Sequence, residues 1–480
     1  MWMIAIILGY FAVLYGISRL TGRQATNETF FRANRKSPWY MVAFGMVGAS
    51  ISGVTFVSVP GMVTQSAMTY MQTCLGFILG YFAVAFILLP LYYKLNLTTI
   101  YSYLGQQLGQ RAYKTGASFF LLSKLTGAVA RFYVVCIILQ QFVFDAWGIP
   151  FVATVSCMVG LIWLYTRRGG IKTLVWTDTF QTVCLFSALL IIIYKVIGQL
   201  DMTTGEAIRA IAADEHSRIF VFDDWVSKQN FWKQFLSGVF IVIVMTGLDQ
   251  DMMQKNLTCR SLREAQKDMC TYGVAFVPAN LLFLSLGVLL VMWFQQQGLP
   301  MPAHGDELLP QFVTHITHLL PLTTYLFIFG IVAACFSSAD SALTSLTTSY
   351  CVDIRGRAGD ERLRKRTHLM ISVLFVVLIL LFRLLNSTSV IDAIYVMCGY
   401  TYGPLLGLFA FGMLTKRMPR DRFVPYICVA SPLLCYMVDR VTNHLTGYQF
   451  GYELLMLNGL LTFLGLFLLS GICTGRKGSR

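Results

Sequence analysis

Apolar runs of about 20 residues recur from one end of this chain to the other. Each is long enough, as a helix, to cross a hydrocarbon core ~30 Å thick. The chain has 480 residues, of which 56% are hydrophobic and only 12% charged; an ordinary soluble domain is about a quarter charged. The sequence therefore reads as an all-α polytopic membrane protein. Thirteen spans are expected, near 2–20, 39–62, 69–93, 116–143, 150–166, 173–197, 231–249, 269–296, 322–350, 368–386, 392–413, 423–439 and 453–473. The first run has no basic segment before it and no small-residue cleavage site after it, so it reads as a retained helix.

A net charge of +14 in a soluble chain would invite a nucleic-acid partner. Here the basic residues lie between apolar runs, and the positive-inside rule accounts for them without nucleic acid. Of the 37 Lys and Arg residues, only Arg209, Arg218, Lys228, Lys233 and Arg440 lie in one set of loops. Nearly all the others, Lys255 among them, lie in the opposite set. This predicts an outside N-terminus, a cytoplasmic C-terminus and an odd number of spans in the cell (inner or plasma) membrane. The twelve cysteines avoid the long external loops and form no CxxC pair, so neither disulfides nor a transition-metal site is expected. Of those external loops, 198–230 reads as carrying a short amphipathic element, and 297–320 holds solvated histidines without a catalytic role.

Two spans look interrupted. "VGASISGVTFVSVPG" packs Gly48, Gly53, Pro60 and Gly61 among small polar residues, and "VMTGLDQDM" runs through Gly247 into Asp249. Five spans separate the starts of these two. That spacing is expected of two five-helix units repeated in opposite orientation, each beginning with a broken helix.

The ninth span carries Ser337, Asp340, Ser341, Thr344 and Thr348 at three- and four-residue spacing, hence on one helix face. An acidic residue within a span usually faces the bundle interior or a water-filled path. Ser345 and Thr347 read as packing residues that bond back to the preceding turn. The hydroxyls of Ser337 and Ser338, with Asp340, are the hard oxygen ligands that a sodium ion takes. The broken second span adds carbonyls at Gly48 and Ile51. In "RRGGIKTLVWTDTFQ", Asp178 sits roughly 9 Å past Lys172 along the helix, as a cation ligand or as the partner of a buried donor. Arg131 lies mid-span, too deep to reach water, and needs an acidic side chain, backbone carbonyls or a bound anion; Lys124 can snorkel to the cytoplasm. Ser50, Ser52, Thr55 and Gln72 can hydrogen-bond a polar solute or simply allow close packing.

At these residues the chain resembles the sodium:solute symporter family. "GGIKTLVWTDTFQ" matches that family's Gly-Gly turn followed by Trp-Thr-Asp-x-x-Gln, and "AACFSSADSALTSL" its serine-rich helix. "NETFFRANRKSPWY", "LTTIYSYLGQQLGQR" and "LDQDMMQKNL" resemble three further landmarks in family order. The resemblance implies a leucine-transporter-type fold: a five-plus-five inverted repeat with discontinuous first and sixth core helices. One domain, 1–480, would divide into an extra helix and loop (1–38), two repeats (39–197 and 231–414) and two C-terminal helices with a tail (415–480). It implies a sodium-coupled symporter, not an enzyme, with sodium as coupling ion and no other cofactor. The main sodium site would fall on Gly48, Ile51, Ala334, Ser337 and Ser338, and a second on Asp178, Ser337, Asp340 and Ser341. The family usually has Ala where Gly48 stands. Ser50, Ser52, Thr55, Gln72 and Arg131 are similar to the solute set of the sialic acid branch, and Met245 stands at the gate where the sugar-carrying branch has an aromatic ring. The solute expected is a small carboxylated sugar or other organic anion. A neutral sugar, an amino acid, a vitamin or proton coupling are the alternatives, and a monomer is the expected working unit.

Overall fold

The computed structural model describes residues 2–22, 26–225, 227–316, 321–385, 390–446, 448 and 450–471. It is almost wholly helical. The principal helices are α1 (Trp2–Thr21), α2 (Trp39–Ser50), α3 (Gly53–Ser66), α4 (Tyr70–Ala83), α5 (Gln110–Leu139), α6 (Phe151–Gly169), α7 (Ile171–Gln199), α8 (Phe231–Val242) and α9 (Gln250–Asn256). They continue as α10 (Leu262–Gln296), α11 (Pro321–Ser349), α12 (Glu361–Leu385), α13 (Val390–Leu414), α14 (Val424–Thr446) and α15 (Leu454–Leu468). The only paired strands among the described residues are Met418–Pro419 and Ser470–Gly471, antiparallel.

Eight helices are long and apolar enough to cross a bilayer among the described residues, or nine if the bent pair Phe231–Gly247 and Gln250–Asn256 counts as one span. This is fewer than the thirteen runs of the sequence, for a physical reason. α2, at 12 residues, and α15, at 15, are each too short alone, and an interrupted span divides its length between two pieces. Conversely, Gly53–Lys94 is 42 residues of nearly continuous helix, about 63 Å at 1.5 Å per residue. No straight helix of that length fits a bilayer. The chain bends at Ala67, whose φ of +50° ends α3 before α4 begins.

Both expected breaks are present, but the first lies at Ile51–Ser52, ahead of Pro60. Pro60 sits inside α3, which runs on past it to Ser66. At the second break the axis turns by 70° between the two pieces. The amphipathic element of the outer loop is a helix over Thr204–Ala213, opened by a capping box between Thr203 and Glu206. In the other external loop, Leu308–Ile316 is helical, and residues 317–320 lie outside the described residues.

Helices in lipid gain little from burying apolar surface against one another, so close backbone approach matters more. α7 packs on both α2 and α11, and glycine permits the closest of these contacts. A Cβ on Gly48 would stand 1.9 Å from Thr182 Oγ1 and 3.1 Å from Thr182 Cα. One on Gly53 would stand 1.8 Å from Cys335 Sγ. The first broken helix is thus wedged between α7 and α11, and Thr182 fills the volume that an alanine at 48 would occupy. α1 docks on the same core through Phe11, whose ring lies 4.9 Å from that of Phe336 on α11.

Gly48→Ala should lower the melting temperature in detergent, at an overpacking cost of about 1–3 kcal/mol. Adding Thr182→Ala should recover most of that loss; equal melting temperatures for Gly48→Ala and wild type would show that α2 does not press on α7 at this point.

Candidate functional site

The site begins with backbone that has left its ladder. At the first break Ser52 N–H donates to the Ser50 carbonyl at 3.1 Å, so the Gly48 carbonyl loses its helical partner. Thr55 N–H turns to the Ser52 hydroxyl at 3.5 Å, which leaves the Ile51 carbonyl equally free. Small hydroxylated residues cause this locally, because their side chains compete for the amides that would continue a helix. Two freed carbonyls at adjacent turns are the groups a dehydrated cation needs.

α11 brings its hydroxyls to the same place. Ser338 donates to the Ala49 carbonyl at 3.1 Å and lies 3.4 Å from the Ala334 carbonyl, so it bridges α11 and the break. Ser337 donates to Asp178 Oδ1 at 2.7 Å. That bond commits the Ser337 proton to Asp178 and leaves the oxygen lone pairs free to face a cation. Asp340 accepts from the Tyr165 hydroxyl at 2.6 Å. Asp178, Ser337, Asp340 and Ser341 are each at most 1% exposed. Residues far apart in sequence therefore meet at one junction of α2, α7 and α11.

One member of this junction escaped the sequence reading. Lys255, assigned to a basic loop, is 1% exposed, and its Nζ lies 2.7 Å from Asp178 Oδ2. The signal was its position, four residues after Asp251 at the end of a broken span, which keeps it on the short helix α9 and inside the bundle. Lys124 also departs from expectation. It does not snorkel; it is 8% exposed and pairs with Asp251 at 2.6 Å and Asp249 at 3.3 Å. Tyr402 donates to Asp249 at 2.5 Å. Drawing Lys124 out to water would strand two buried carboxylates, a cost of several kcal/mol.

Beside the break lies a cavity of about 140 Å³, lined by Ser50, Ser52, Thr55, Arg131, Met245 and Ser338, among others. Five of the residues expected to meet solute, the gate position included, are thereby brought together with one sodium ligand. Gln72 is not among them. Its amide donates to the Gln229 carbonyl at 2.8 Å and accepts from Val221 N–H at 3.1 Å. Gln72 therefore fastens the outer loop to α4, because that loop folds back over its face of the helix. The Ser50 hydroxyl is engaged with the Tyr272 hydroxyl, which also receives a bond from Tyr81 at 2.7 Å. The charges lining the cavity are unequal in their partners: Lys124 is answered by Asp249 and Asp251, whereas Arg131 has no ion pair or hydrogen bond among the described residues. A guanidinium in such a place attracts an anion, above all a carboxylate it can grip with two parallel bonds.

The model of the sodium:solute symporter family matches residues 30–421. The chain is 24% identical over 471 residues to the sodium/sialic acid symporter SiaT of Proteus mirabilis, covering 93% of this chain and 91% of that protein. It is 26% identical over 414 residues to the sodium/sialic acid symporter NanT of Aliivibrio fischeri, covering 82% and 79%. It also matches the human sodium/iodide cotransporter at 24% identity, covering 83% of this chain and 62% of that protein. Among solved structures, the substrate-bound outward-open state of a Na+-coupled sialic acid symporter superposes with a TM-score of 0.80 at 20% identity, over 98% and 97% of the two chains. A nucleobase-cation-symport-1 family transporter in a closed conformation superposes with a TM-score of 0.57 at 14% identity.

The Lys124 cluster offers a test of its own. Asp251→Ala should destabilise the folded protein by about 3 kcal/mol or more, since it leaves a buried ammonium short of its nearer partner. Lys124→Met combined with Asp251→Leu should cost much less than the two single changes summed, as read by thermal melting; strict additivity would show that the pair is uncoupled.

Proposed function

The chain belongs to the sodium:solute symporter family, and from that premise we propose that it imports a small carboxylated solute, sialic acid or a related sugar acid, by coupling its uptake to inward sodium flow. The observation that carries the choice of solute is Arg131, a cavity-lining guanidinium with no protein partner among the described residues. The two sialic acid symporters among its relatives support the same choice.

On this reading the main sodium ion takes the carbonyls of Gly48, Ile51 and Ala334 with the hydroxyls of Ser337 and Ser338. The freed backbone at 48–52 and the reach of Ser338 to Ala49 support that set. Asp178, Asp340 and Ser341 serve a second cation. The solute meets Arg131 through its carboxylate and Ser50, Ser52 and Thr55 through its hydroxyls, with Met245 at the gate. Bound sodium holds the break in the shape that presents those residues, so each ligand raises the affinity of the other by one common factor. The membrane potential adds ~2.3 kcal/mol per charge per 100 mV in favour of inward release.

The finer architecture belongs to the same proposal. Thirteen spans arise when the pieces flanking each break count as one span, when Gly53–Lys94 is divided at Ala67, and when the shorter apolar helices also cross. The two breaks then open two inverted repeats, 39–197 and 231–414, preceded by 1–38 and followed by 415–480. The Lys and Arg asymmetry supports an outside N-terminus and a cytoplasmic C-terminus.

Uptake by reconstituted protein, with sodium removed at fixed pH, decides between sodium and proton coupling; undiminished sialic acid uptake in choline would overturn sodium coupling. Arg131→Ala should abolish sialic acid uptake while sodium still stabilises the protein. Ser338→Ala should raise the half-saturation for sodium by roughly tenfold, the equivalent of about 1.4 kcal/mol for one lost ligand. A variant at either position that transports as wild type would remove that residue from the site.

A further inference from the structure

One wall of the cavity carries a chain of three hydroxyls. Tyr81 on α4 donates to the Tyr272 hydroxyl on α10 at 2.7 Å, and Tyr272 is hydrogen-bonded in turn to Ser50, the last residue of α2. All three residues line the cavity. Tyr81 is 3% exposed and Tyr272 1%, and their ring centroids stand 4.5 Å apart. Gly273 admits that contact, since a Cβ there would lie 2.6 Å from the Tyr81 ring. Phe77 and Phe276 line the same cavity, with ring centroids 5.8 Å apart. The hydroxyl chain therefore lies among aromatic rings, where a hydrogen bond is stronger than in water and each bond polarises the next.

The partners also give the chain a direction. A phenol has one proton to donate. The Tyr272 oxygen receives the Tyr81 proton, so its own proton is available to Ser50. Hydroxyls within helices commonly donate back to the preceding turn, as Ser123 does to the Phe119 carbonyl at 2.7 Å and Thr401 to the Met397 carbonyl at 2.6 Å. Ser50 makes no such bond among the described residues. We infer that Tyr272 is a positioning residue for the solute: backed by Tyr81, it donates to Ser50, holds that hydroxyl off its own helix, and so leaves the Ser50 proton for the cavity. Met245, also in the cavity lining, has a thioether and no proton to give. The solute atom that meets Ser50 must then carry a lone pair, as a hydroxyl, carbonyl or carboxylate oxygen does. An ammonium has donors only and is disfavoured there, so a sugar acid is preferred to an amino-terminated solute. This inference rests on the reading that Ser50 meets solute.

Binding of sialic acid to the purified protein, measured by calorimetry in saturating sodium, tests the relay. Tyr272→Phe keeps the ring and removes only the hydroxyl; it should raise Kd roughly tenfold. Tyr81→Phe leaves Tyr272 in place and should raise Kd about threefold. Ser50→Ala should weaken binding by itself, and Ser50→Ala with Tyr272→Phe should bind no more weakly than Ser50→Ala alone, because the two residues act through one proton. Sodium titrated without solute, choline replacing it, should raise the melting temperature of Tyr272→Phe as it does that of wild type; a loss confined to solute binding separates positioning from packing. Wild-type affinity in Tyr272→Phe, or losses that multiply in the double variant, would overturn the relay while Ser50 remained a solute contact. Wild-type affinity in Ser50→Ala would instead remove Ser50 from the solute site, and so overturn the reading beneath the relay as well.

Discussion

Charge inside a membrane protein has to be answered, because hydrocarbon offers neither water nor counter-ions. That constraint organises this molecule more than any apolar contact does. Lys124 finds Asp249 and Asp251, and Lys255 finds Asp178. Each pair joins helices distant in sequence, so the charges also fix how α5, α7 and α9 sit against one another. Other charges stay incompletely answered among the described residues: Arg131 has no ion pair, and Asp340 and Asp268 each keep one carboxylate oxygen without a hydrogen bond. On the proposed reading, Arg131 meets an anionic solute and Asp340 a cation. A symporter has to carry that kind of imbalance: a protein whose buried charges were all satisfied internally would gain little by taking up an ion.

The broken helices are the second half of the same arrangement. A continuous helix spends its carbonyls on its own ladder. At Ile51–Ser52 the ladder is given up, and two hydroxyls and two glycines make that tolerable. Ser52 caps the new helix, and Gly48 and Gly53 let α7 and α11 close on the exposed backbone from either side. At the second break Asp249 does the corresponding work. It accepts from Asp251 N–H at 2.8 Å as the cap of α9, while its carboxylate also holds Lys124 and Tyr402. One break exposes neutral oxygen and the other anchors charge.

Much of this could be read from the sequence. Gly and Ser clustered in an apolar run marked the first break, and a one-face column of hydroxyls marked α11. Both signals are local, and local backbone chemistry produces them. What the sequence did not disclose depends on partners chosen in three dimensions. Lys255 resembled any loop lysine, because a span boundary shifted by a few residues decides whether it faces water. Lys124 looked free to snorkel, because its carboxylate partners lie more than a hundred residues away. Gln72 was a plausible solute ligand until the outer loop, whose path no periodicity foretold, claimed both ends of its amide. The bend at Ala67, by contrast, falls in the gap between the apolar runs 39–62 and 69–93, because a polar break in an apolar run is a local signal.

The closeness of the two proposed ligands then explains how coupling can work without a long pathway. The Ala49 carbonyl accepts from Ser338 of α11, while residues 50, 52 and 55 line the cavity that Arg131 also lines. On the proposed reading, sodium and solute share one short, unwound stretch. Ordering that stretch costs conformational entropy, at roughly 1–2 kcal/mol per residue, and whichever ligand arrives first bears that cost for the other. Reciprocity is then a property of five residues of backbone, and it requires no movement elsewhere in the bundle. The charged pairs at the second break act differently. Lys124, Asp249 and Tyr402 tie three elements together within the lining of the cavity itself, so a solute held there would lie beside desolvated ions.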